Sequence, residues 1–304
     1  NLDNFEFVIE ISKQSPDIAL GVDKDGAGDQ GIMYGFATSE SKELMPLPIV
    51  IVRKIAIKMD ELTKEIPELF GKDGKCQVSI AYDENDNPVK VTTIIVSQQT
   101  QPKVDRDFYT SFIIEECLKK VIPSWLVTEE TKVLINPTGE FVKGGPYADS
   151  GLTGRKIICD TYGGVGRHGG GAFSGKDPTK VDRCAAYYAR YVAKNVVAAG
   201  LARKCEVQVA YAIGVAKPVA VNIETFGTSK YTNDQIKEAV LKFFNFTPKA
   251  IRTEILNDDI SYYDLAKYGH IGRRGIYVRS EKKKRRKKKK KELKQKKKKQ
   301  GRKK

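Results

Sequence analysis

The chain has 304 residues, of which 40% are hydrophobic and 30% charged, a composition typical of a globular protein rather than a disordered one. Its net charge of +16 lies entirely in residues 281–304, where 18 Lys or Arg accompany 2 Asp or Glu, so the preceding residues are neutral overall. The longest apolar run, residues 45–52, is far shorter than the roughly 20 residues that cross a bilayer, which argues against a membrane protein.

The start of the chain, Asn-Leu-Asp, shows neither an initiator Met nor an export signal, and we expect the natural N-terminus to lie upstream. The five cysteines have no paired spacing, which favours reduced thiols in the cytoplasm: Cys76, Cys117, Cys159, Cys184 and Cys205. The two histidines, His168 and His270, are too few for a histidine-rich metal site.

Apolar residues at helical spacing predict three helices, marked by Ile51, Ile55, Met59 and Leu62, by Ile114, Leu118 and Val121, and by Ile236, Val240 and Phe243. Residues 75–82 alternate as a strand does and resemble residues 204–211. Each is followed by a turn and a second matching segment, 88–91 or 218–221. Similarity between two single strands is often chance, but two matched strands in register favour a duplicated strand–turn–strand unit.

We therefore predict an α+β protein with two related domains. The predicted ranges are a remnant of an N-terminal domain at 1–17, a central domain at 18–140, a C-terminal domain at 141–275 and a disordered basic tail at 276–304. The tail contains an unbroken run of Lys and Arg over residues 282–291, which cannot pack against itself. It is either a solvated extension or a salt-sensitive contact to nucleic acid.

Glycine is concentrated at 163–164, 169–171 and 175, directly before Lys176. We predict that Asp177 caps a helix whose first residue is Pro178, whose buried face includes Val181, Ala185, Tyr188 and Val192, and which ends near Gly200. A glycine loop that opens onto a helix N-terminus can bind an anion through free N–H groups. The alternative is a set of tight turns without a ligand.

Residues 170–176 read G-x-x-x-x-G-K, but Asp177 stands where a phosphate-binding loop of nucleotide triphosphatases has Ser or Thr, so that motif is rejected. Seven charged residues surround the glycines and favour a polyphosphate and metal pocket instead: Asp149, Arg155, Lys156, Arg167, Lys176, Lys180 and Asp182.

Three segments in this region closely resemble the S-adenosylmethionine synthetase (methionine adenosyltransferase) family. They are residues 151–156 (Gly-Leu-Thr-Gly-Arg-Lys), 160–164 (Asp-Thr-Tyr-Gly-Gly) and 168–177 (His-Gly-Gly-Gly-Ala-Phe-Ser-Gly-Lys-Asp). The similarity continues at residues 13–18, 26–31, 211–216 and 268–273, and so covers about residues 1–275.

The resemblance implies repeated, intertwined α+β domains, each with a mixed or antiparallel sheet and helices on one face, in a homodimer or homotetramer with active sites between subunits. It implies the reaction of ATP, L-methionine and water to S-adenosylmethionine, phosphate and diphosphate, with Mg²⁺ and K⁺ as cofactors. The thioether sulfur attacks the ribose C5′ without a general base, so alignment and cations at the leaving triphosphate should carry catalysis.

The resemblance also assigns site residues. Its catalytic cations are Arg155, Lys156 and Lys176. Its ATP-binding positions are Asp73, Gly74, Lys75, Glu140, Phe141, Asp149, Arg155, Lys156, Ala172 and Lys176, of which Phe141 packs on adenine. Its methionine-binding positions are Gln14, Asp29, Asp149 and Lys180, and Asp182 matches a magnesium ligand.

The sequence departs from the family in three ways. The Gly-His-Pro-Asp-Lys segment, with its histidine and second magnesium carboxylate, is not in the chain, nor is the acidic residue associated with potassium. Glu140 stands where a basic residue is common. We therefore expect this chain to be nearly inactive alone. The alternatives are a non-catalytic nucleotide-binding or regulatory subunit, and nucleic-acid binding through the tail.

Overall fold

The computed structural model describes residues 6–13, 15–256 and 261–273, so Gln14 and the basic tail lie outside the described residues. The strands are β1 (Gly31–Thr38), β2 (Phe70–Tyr82), β3 (Pro88–Thr100), β4 (Lys132–Ile135), β5 (Lys204–Tyr211) and β6 (Ala220–Glu224). The longer helices are α2 (Leu47–Glu65), α3 (Arg106–Ile113), α6 (Val181–Ala198) and α7 (Asn233–Phe243). The shorter ones are α1 (Pro16–Val22), α4 (Lys119–Val121), α5 (Ile157–Asp160), α8 (Pro248–Glu254) and α9 (Tyr262–Ala266). A π-helical turn, Ile114–Leu118, joins α3 to α4, and a 3₁₀ turn spans Ser124–Leu126.

The described strands form two three-stranded sheets, which confirms the α+β class. One sheet has the order β1-β5-β6 and is antiparallel. The other has the order β2-β3-β4, with β2 antiparallel and β4 parallel to β3. Both predicted strand–turn–strand units are antiparallel hairpins, β2–β3 and β5–β6.

Each sheet has its own hydrophobic core, and α2 contributes to both. Ile49 and Val50 pack in the core that contains α6 and β5. Ile51 and Ile55 pack in the core beneath β2 and β3. Because β1 pairs with β5, the sheet of the C-terminal part includes a strand from the range predicted as the central domain. The predicted domain ranges themselves remain a prediction.

Two of the predicted helices are α2 and α7, whereas the range from Ile114 to Val121 is a π-helical turn followed by the three residues of α4. Ile236 and Val240 of α7 are buried, but Phe243 is 80% exposed, so it does not belong to the buried face. All five cysteines are free thiols. In the part of the chain that the structure describes, no helix is long and apolar enough to span a membrane.

Candidate functional site

The glycine-rich loop before α6 places Lys176 beside the first turn of that helix. The Lys176 ammonium donates to the Asp182 carboxylate at 2.5 Å, with the two side chains 32% and 19% exposed. Asp182 lies in the first turn of α6, where a carboxylate is stabilised by the helix dipole. The pair is therefore a partly shielded positive and negative charge at a helix N-terminus.

The predicted cap of α6 is wrong. The helix begins at Val181 with Lys180 as its N-cap residue, three residues after Asp177. The Asp177 carboxylate instead accepts hydrogen bonds from the Thr179 backbone N–H and hydroxyl, and so closes a turn of its own. Local capping chemistry cannot distinguish a turn from a helix start, and here the turn forms. The rest of the prediction holds, since Val181, Ala185, Tyr188 and Val192 are buried and Gly200 follows the helix with φ +71°.

The loop approaches Asp182 so closely that it needs glycine. A Cβ at Gly171 would lie 2.3 Å from Cγ of Asp182. His168, with Asp182 and Gly171, lines a small pocket between the loop and β1. Its Nδ1 accepts from the Gly170 backbone N–H at 2.8 Å, and burial lowers the pKa of the imidazole, an effect that the Asp182 charge opposes. His168 thus lines the same pocket as Asp182, at a position to which sequence reasoning assigned no role.

Arg155 and Lys156 lie in a segment that contacts the same loop. Gly154 has φ +77°, and a Cβ there would lie 2.4 Å from Cβ of Ala172. Ala172 belongs to the glycine loop, so this contact brings the Arg155 segment against the loop that bears Lys176. Both Arg155 and Lys156 are exposed. The structure thus gathers the three predicted catalytic cations onto two touching segments.

The segment before β1 adds the predicted methionine-side residues. Gly28 packs on the N-terminus of α6, and a Cβ there would lie 3.5 Å from Cδ of Lys180. Asp29, the next residue, is exposed, and its carboxylate accepts from the Gln30 backbone N–H at 2.8 Å. Asp29 and Lys180 therefore lie on neighbouring segments of one surface. Gln14 lies outside the described residues.

A second group of predicted residues lies on the β2–β3–β4 sheet. The Asp73 carboxylate accepts from the Gly145 backbone N–H at 2.8 Å. The Phe141 carbonyl accepts from the Thr100 N–H at 2.9 Å, which fixes the chain next to the end of β3. Phe141 is half-buried. The remaining predicted ATP positions near this sheet are exposed: Gly74, Lys75 and Glu140, with Asp149 further along the same loop.

The two groups lie on different elements of the chain, one on and after the β2–β3–β4 sheet and the other at the start of α6 and α5. Among the described residues, no hydrogen bond or ion pair joins Asp73, Lys75, Glu140 or Phe141 to the Lys176 loop or the Arg155 segment. Asp149, on the loop between them, has a backbone hydrogen bond from its own N–H to Gly145 and an exposed side chain.

One charged residue of the predicted anion pocket, Arg167, forms an ion pair within the chain. The Arg167 guanidinium donates to the Glu206 carboxylate at 2.8 Å, and the Arg167 backbone N–H donates to the other oxygen at 3.0 Å. Glu206 is 3% exposed on β5, so a buried carboxylate holds the glycine loop to the sheet at this point. Because 65% of the Arg167 side chain is exposed, its place in the anion pocket stays a prediction.

The described residues fit magnesium only as a partner of phosphate. They contain no cluster of three or more His, Cys, Asp or Glu that could hold a metal ion by itself. Asp182 supplies one carboxylate beside the cations, and magnesium commonly takes one or two carboxylates together with substrate phosphates. For potassium, the sequence has no residue at the family position, so none is assigned.

Comparison with known proteins gives matches along most of the chain. Residues 24–141 match the family model of the S-adenosylmethionine synthetase central domain, and residues 143–282 match that of the C-terminal domain. The chain is 51% identical over 287 residues to the S-adenosylmethionine synthase of Desulforudis audaxviator (strain MP104C). That alignment covers 89% of this chain and 72% of the relative.

Proposed function

The chain belongs to the S-adenosylmethionine synthetase family of methionine adenosyltransferases, and on that premise we propose how its residues serve the reaction. Arg155, Lys156 and Lys176 bind the triphosphate of ATP while the methionine sulfur attacks C5′ of the ribose. The bond from C5′ to the triphosphate oxygen breaks, and the triphosphate is then hydrolysed to phosphate and diphosphate. The contact between Gly154 and Ala172 carries this proposal, because it brings all three cations onto adjoining segments.

Charge neutralisation is the main contribution of this chain to the first step. The sulfur loses no proton, so the residues need only align it and stabilise the leaving triphosphate. In the structure, Lys176 is paired with Asp182. Phosphate oxygens would take over the Lys176 ammonium, and Asp182 would then be free to hold magnesium. When bound, magnesium supplies further neutralisation of the phosphate charge.

The remaining predicted residues bind and orient the two substrates. Asp29 and Lys180 share one surface next to the cations, which suits the charged amine and carboxylate of methionine. Phe141 offers a half-buried ring for adenine, and Asp73 is held by the backbone of Gly145, four residues further along the chain. Asp149 serves the ribose and the methionine amine. Because no hydrogen bond or ion pair joins the Phe141 group to the cation group among the described residues, and because the family resemblance implies sites between subunits, we place each active site between two subunits of a homodimer or homotetramer.

The test compares two proteins. The first is the 304-residue chain. The second, the extended chain, adds before residue 1 an N-terminal segment that contains the Gly-His-Pro-Asp-Lys sequence implied by the family resemblance. We expect the extended chain to form S-adenosylmethionine, phosphate and diphosphate in equal amounts, and the 304-residue chain to be nearly inactive.

Replacing Lys176 with Met in the extended chain should lower kcat/KM by about 100-fold or more, the usual effect of removing a group that stabilises developing charge. Lys249→Met is the control, since Lys249 is an exposed lysine paired with Asp25 on the surface. Wild-type turnover in the Lys176 variant would contradict the proposed role of the cation cluster.

A further inference from the structure

The Tyr-Gly-His-Ile segment near the end of the described chain packs behind the proposed triphosphate site. His270 is 3% exposed, and its backbone N–H donates to the Asp160 carbonyl at 2.9 Å. Asp160 is the last residue of α5, the helix that Lys156 precedes. One side of this segment is thus attached to the element that carries Arg155 and Lys156.

The His270 side chain is attached to the other cation-bearing element. Its Nε2 lies 3.1 Å from the Ser174 hydroxyl, two residues before Lys176. Its Nδ1 lies 2.6 Å from the Tyr187 hydroxyl. The Arg183 guanidinium donates to that same Tyr187 oxygen at 3.2 Å and to the Lys176 carbonyl at 2.7 Å. Two routes of hydrogen bonds therefore lead from one imidazole to the backbone around Lys176.

We assign the tautomer of the imidazole from its hydrogen-bonding partners. Because the Tyr187 oxygen accepts from Arg183, its single O–H is available to donate to Nδ1 of His270. Nδ1 is then the acceptor, so Nε2 carries the proton and donates to Ser174. The neutral imidazole thus has one donor and one acceptor, and each has its partner.

Arg53 of α2 holds the same segment from below. Its guanidinium donates to the Ile271 carbonyl and, at 3.0 Å, to the Thr161 carbonyl. Gly269 has φ +92°, and a Cβ there would lie 2.5 Å from the Arg53 guanidinium. The segment that bears His270 is therefore fixed by Arg53, independently of its contact with the Lys176 loop.

From these contacts we infer that His270 is a positioning residue for triphosphate binding: it holds the Lys176 loop, through Ser174, at a set distance from the α5 segment that carries Arg155 and Lys156. This inference rests on the proposed function. His270 itself does not touch the substrate. It acts through the position of Lys176.

The experiment measures binding of inorganic tripolyphosphate, with Mg²⁺, by calorimetry on the full chain. His270→Asn keeps an acceptor for Tyr187 but loses the donor to Ser174, whereas His270→Gln keeps a donor that reaches Ser174. Both variants lose the ring, which packs edge-on against Phe173 at 5.2 Å, so packing loss is matched. We expect about fivefold weaker binding for His270→Asn, the effect of one lost hydrogen bond, and binding within about twofold of wild type for His270→Gln.

A double-mutant cycle separates positioning from a general structural role. On the Lys176→Met background, His270→Asn should have no further effect on tripolyphosphate affinity. Ser174→Ala, a milder change, should reproduce the fivefold loss and should not add to His270→Asn. The inference would be overturned if His270→Asn and His270→Gln lost the same tripolyphosphate affinity. It would also be overturned if His270→Asn weakened binding as much in the Lys176→Met background as in the wild type. If the wild-type chain and its Lys176→Met variant bind tripolyphosphate equally, the proposed function itself fails.

Discussion

At the scale of single residues, the glycine-rich sequence before α6 located Lys176 and Asp182, but not the side chains that hold them in place. A basic residue after a run of glycines is visible in the sequence because the whole pattern lies within a few positions. Ser174 and His270 are 96 residues apart, and their contact exists only because the fold brings the Tyr-Gly-His-Ile segment behind the loop. Nothing in the local pattern marks that pairing. The same is true of Arg167 and Glu206, 39 residues apart.

The buried imidazole of His270 predicts how stability depends on pH. Burial, with the nearby charges of Arg183, Arg273 and Arg53, lowers its pKa from 6.5 to about 4. Between these values the unfolded chain binds a proton at this residue and the folded chain does not, so the His270 contribution is complete above about pH 6.5 and is lost as the pH falls towards 4. In His270→Gln, this loss should disappear.

The measurement is urea unfolding of wild type and His270→Gln at several values from about pH 7 down to about pH 4. The difference in unfolding free energy between the two proteins should shrink as the pH falls. The carboxylates titrate equally in both proteins, so their contributions cancel in the difference between the two unfolding free energies. A constant difference across the range would show that His270 does not titrate in this window.

At the scale of elements, the strongly periodic segments were predictable and the boundaries were not. The periodicity of α2 and α6 reports burial, which both helices retain in the fold. The start of α6 depends instead on a competition between two local hydrogen-bonding patterns for the Asp177 carboxylate. The π-helical turn at Ile114–Leu118 was not predicted either. A π-helical turn adds one residue to a helix, and the spacing of Ile114, Leu118 and Val121 is still compatible with an ordinary α-helix.

The close approach of the glycine loop to α6 predicts the effect of a single methyl group. In Gly171→Ala, the new Cβ would overlap the Asp182 carboxylate, which must move away from Lys176. We expect tripolyphosphate affinity in the presence of Mg²⁺ to fall about 10-fold, measured by calorimetry, which corresponds to roughly 1.4 kcal/mol.

Gly151→Ala is the matched control for this change. A Cβ at Gly151 has no described atom within 4 Å, and its backbone is outside the left-handed region. Its affinity should therefore equal that of the wild type. If Gly171→Ala also binds normally, the contact between the loop and Asp182 has no part in anion binding.

At the scale of the whole molecule, the placement of the two residue groups on different elements was not predictable from spacing. The family resemblance places Asp73, Phe141 and Lys176 in one list of site residues. The fold puts the first two on the β2–β3–β4 sheet and the third at the start of α6. Family resemblance supplied the proposal that subunits combine these groups, because a single sequence carries no record of contacts between copies.

Mixing two inactive variants tests that arrangement. In the extended chain, Lys75→Met and Lys176→Met should each be nearly inactive. After the two are unfolded and refolded together, about one quarter of wild-type activity should return, because half of the dimers are mixed and each has one intact site of two. Refolding each variant separately is the control. If each site draws both groups from the same chain, the mixture will stay inactive.

The helix α2 packs in both hydrophobic cores and so couples their unfolding. Ile49 and Val50 point to one of them and Ile51 and Ile55 to the other, so melting this helix would expose apolar surface on both sides at once. Arg53, on the same helix, also anchors the segment that bears His270. Because one helix packs in both cores, heat or denaturant should unfold both sheets of the described chain and the proposed triphosphate site in a single cooperative transition.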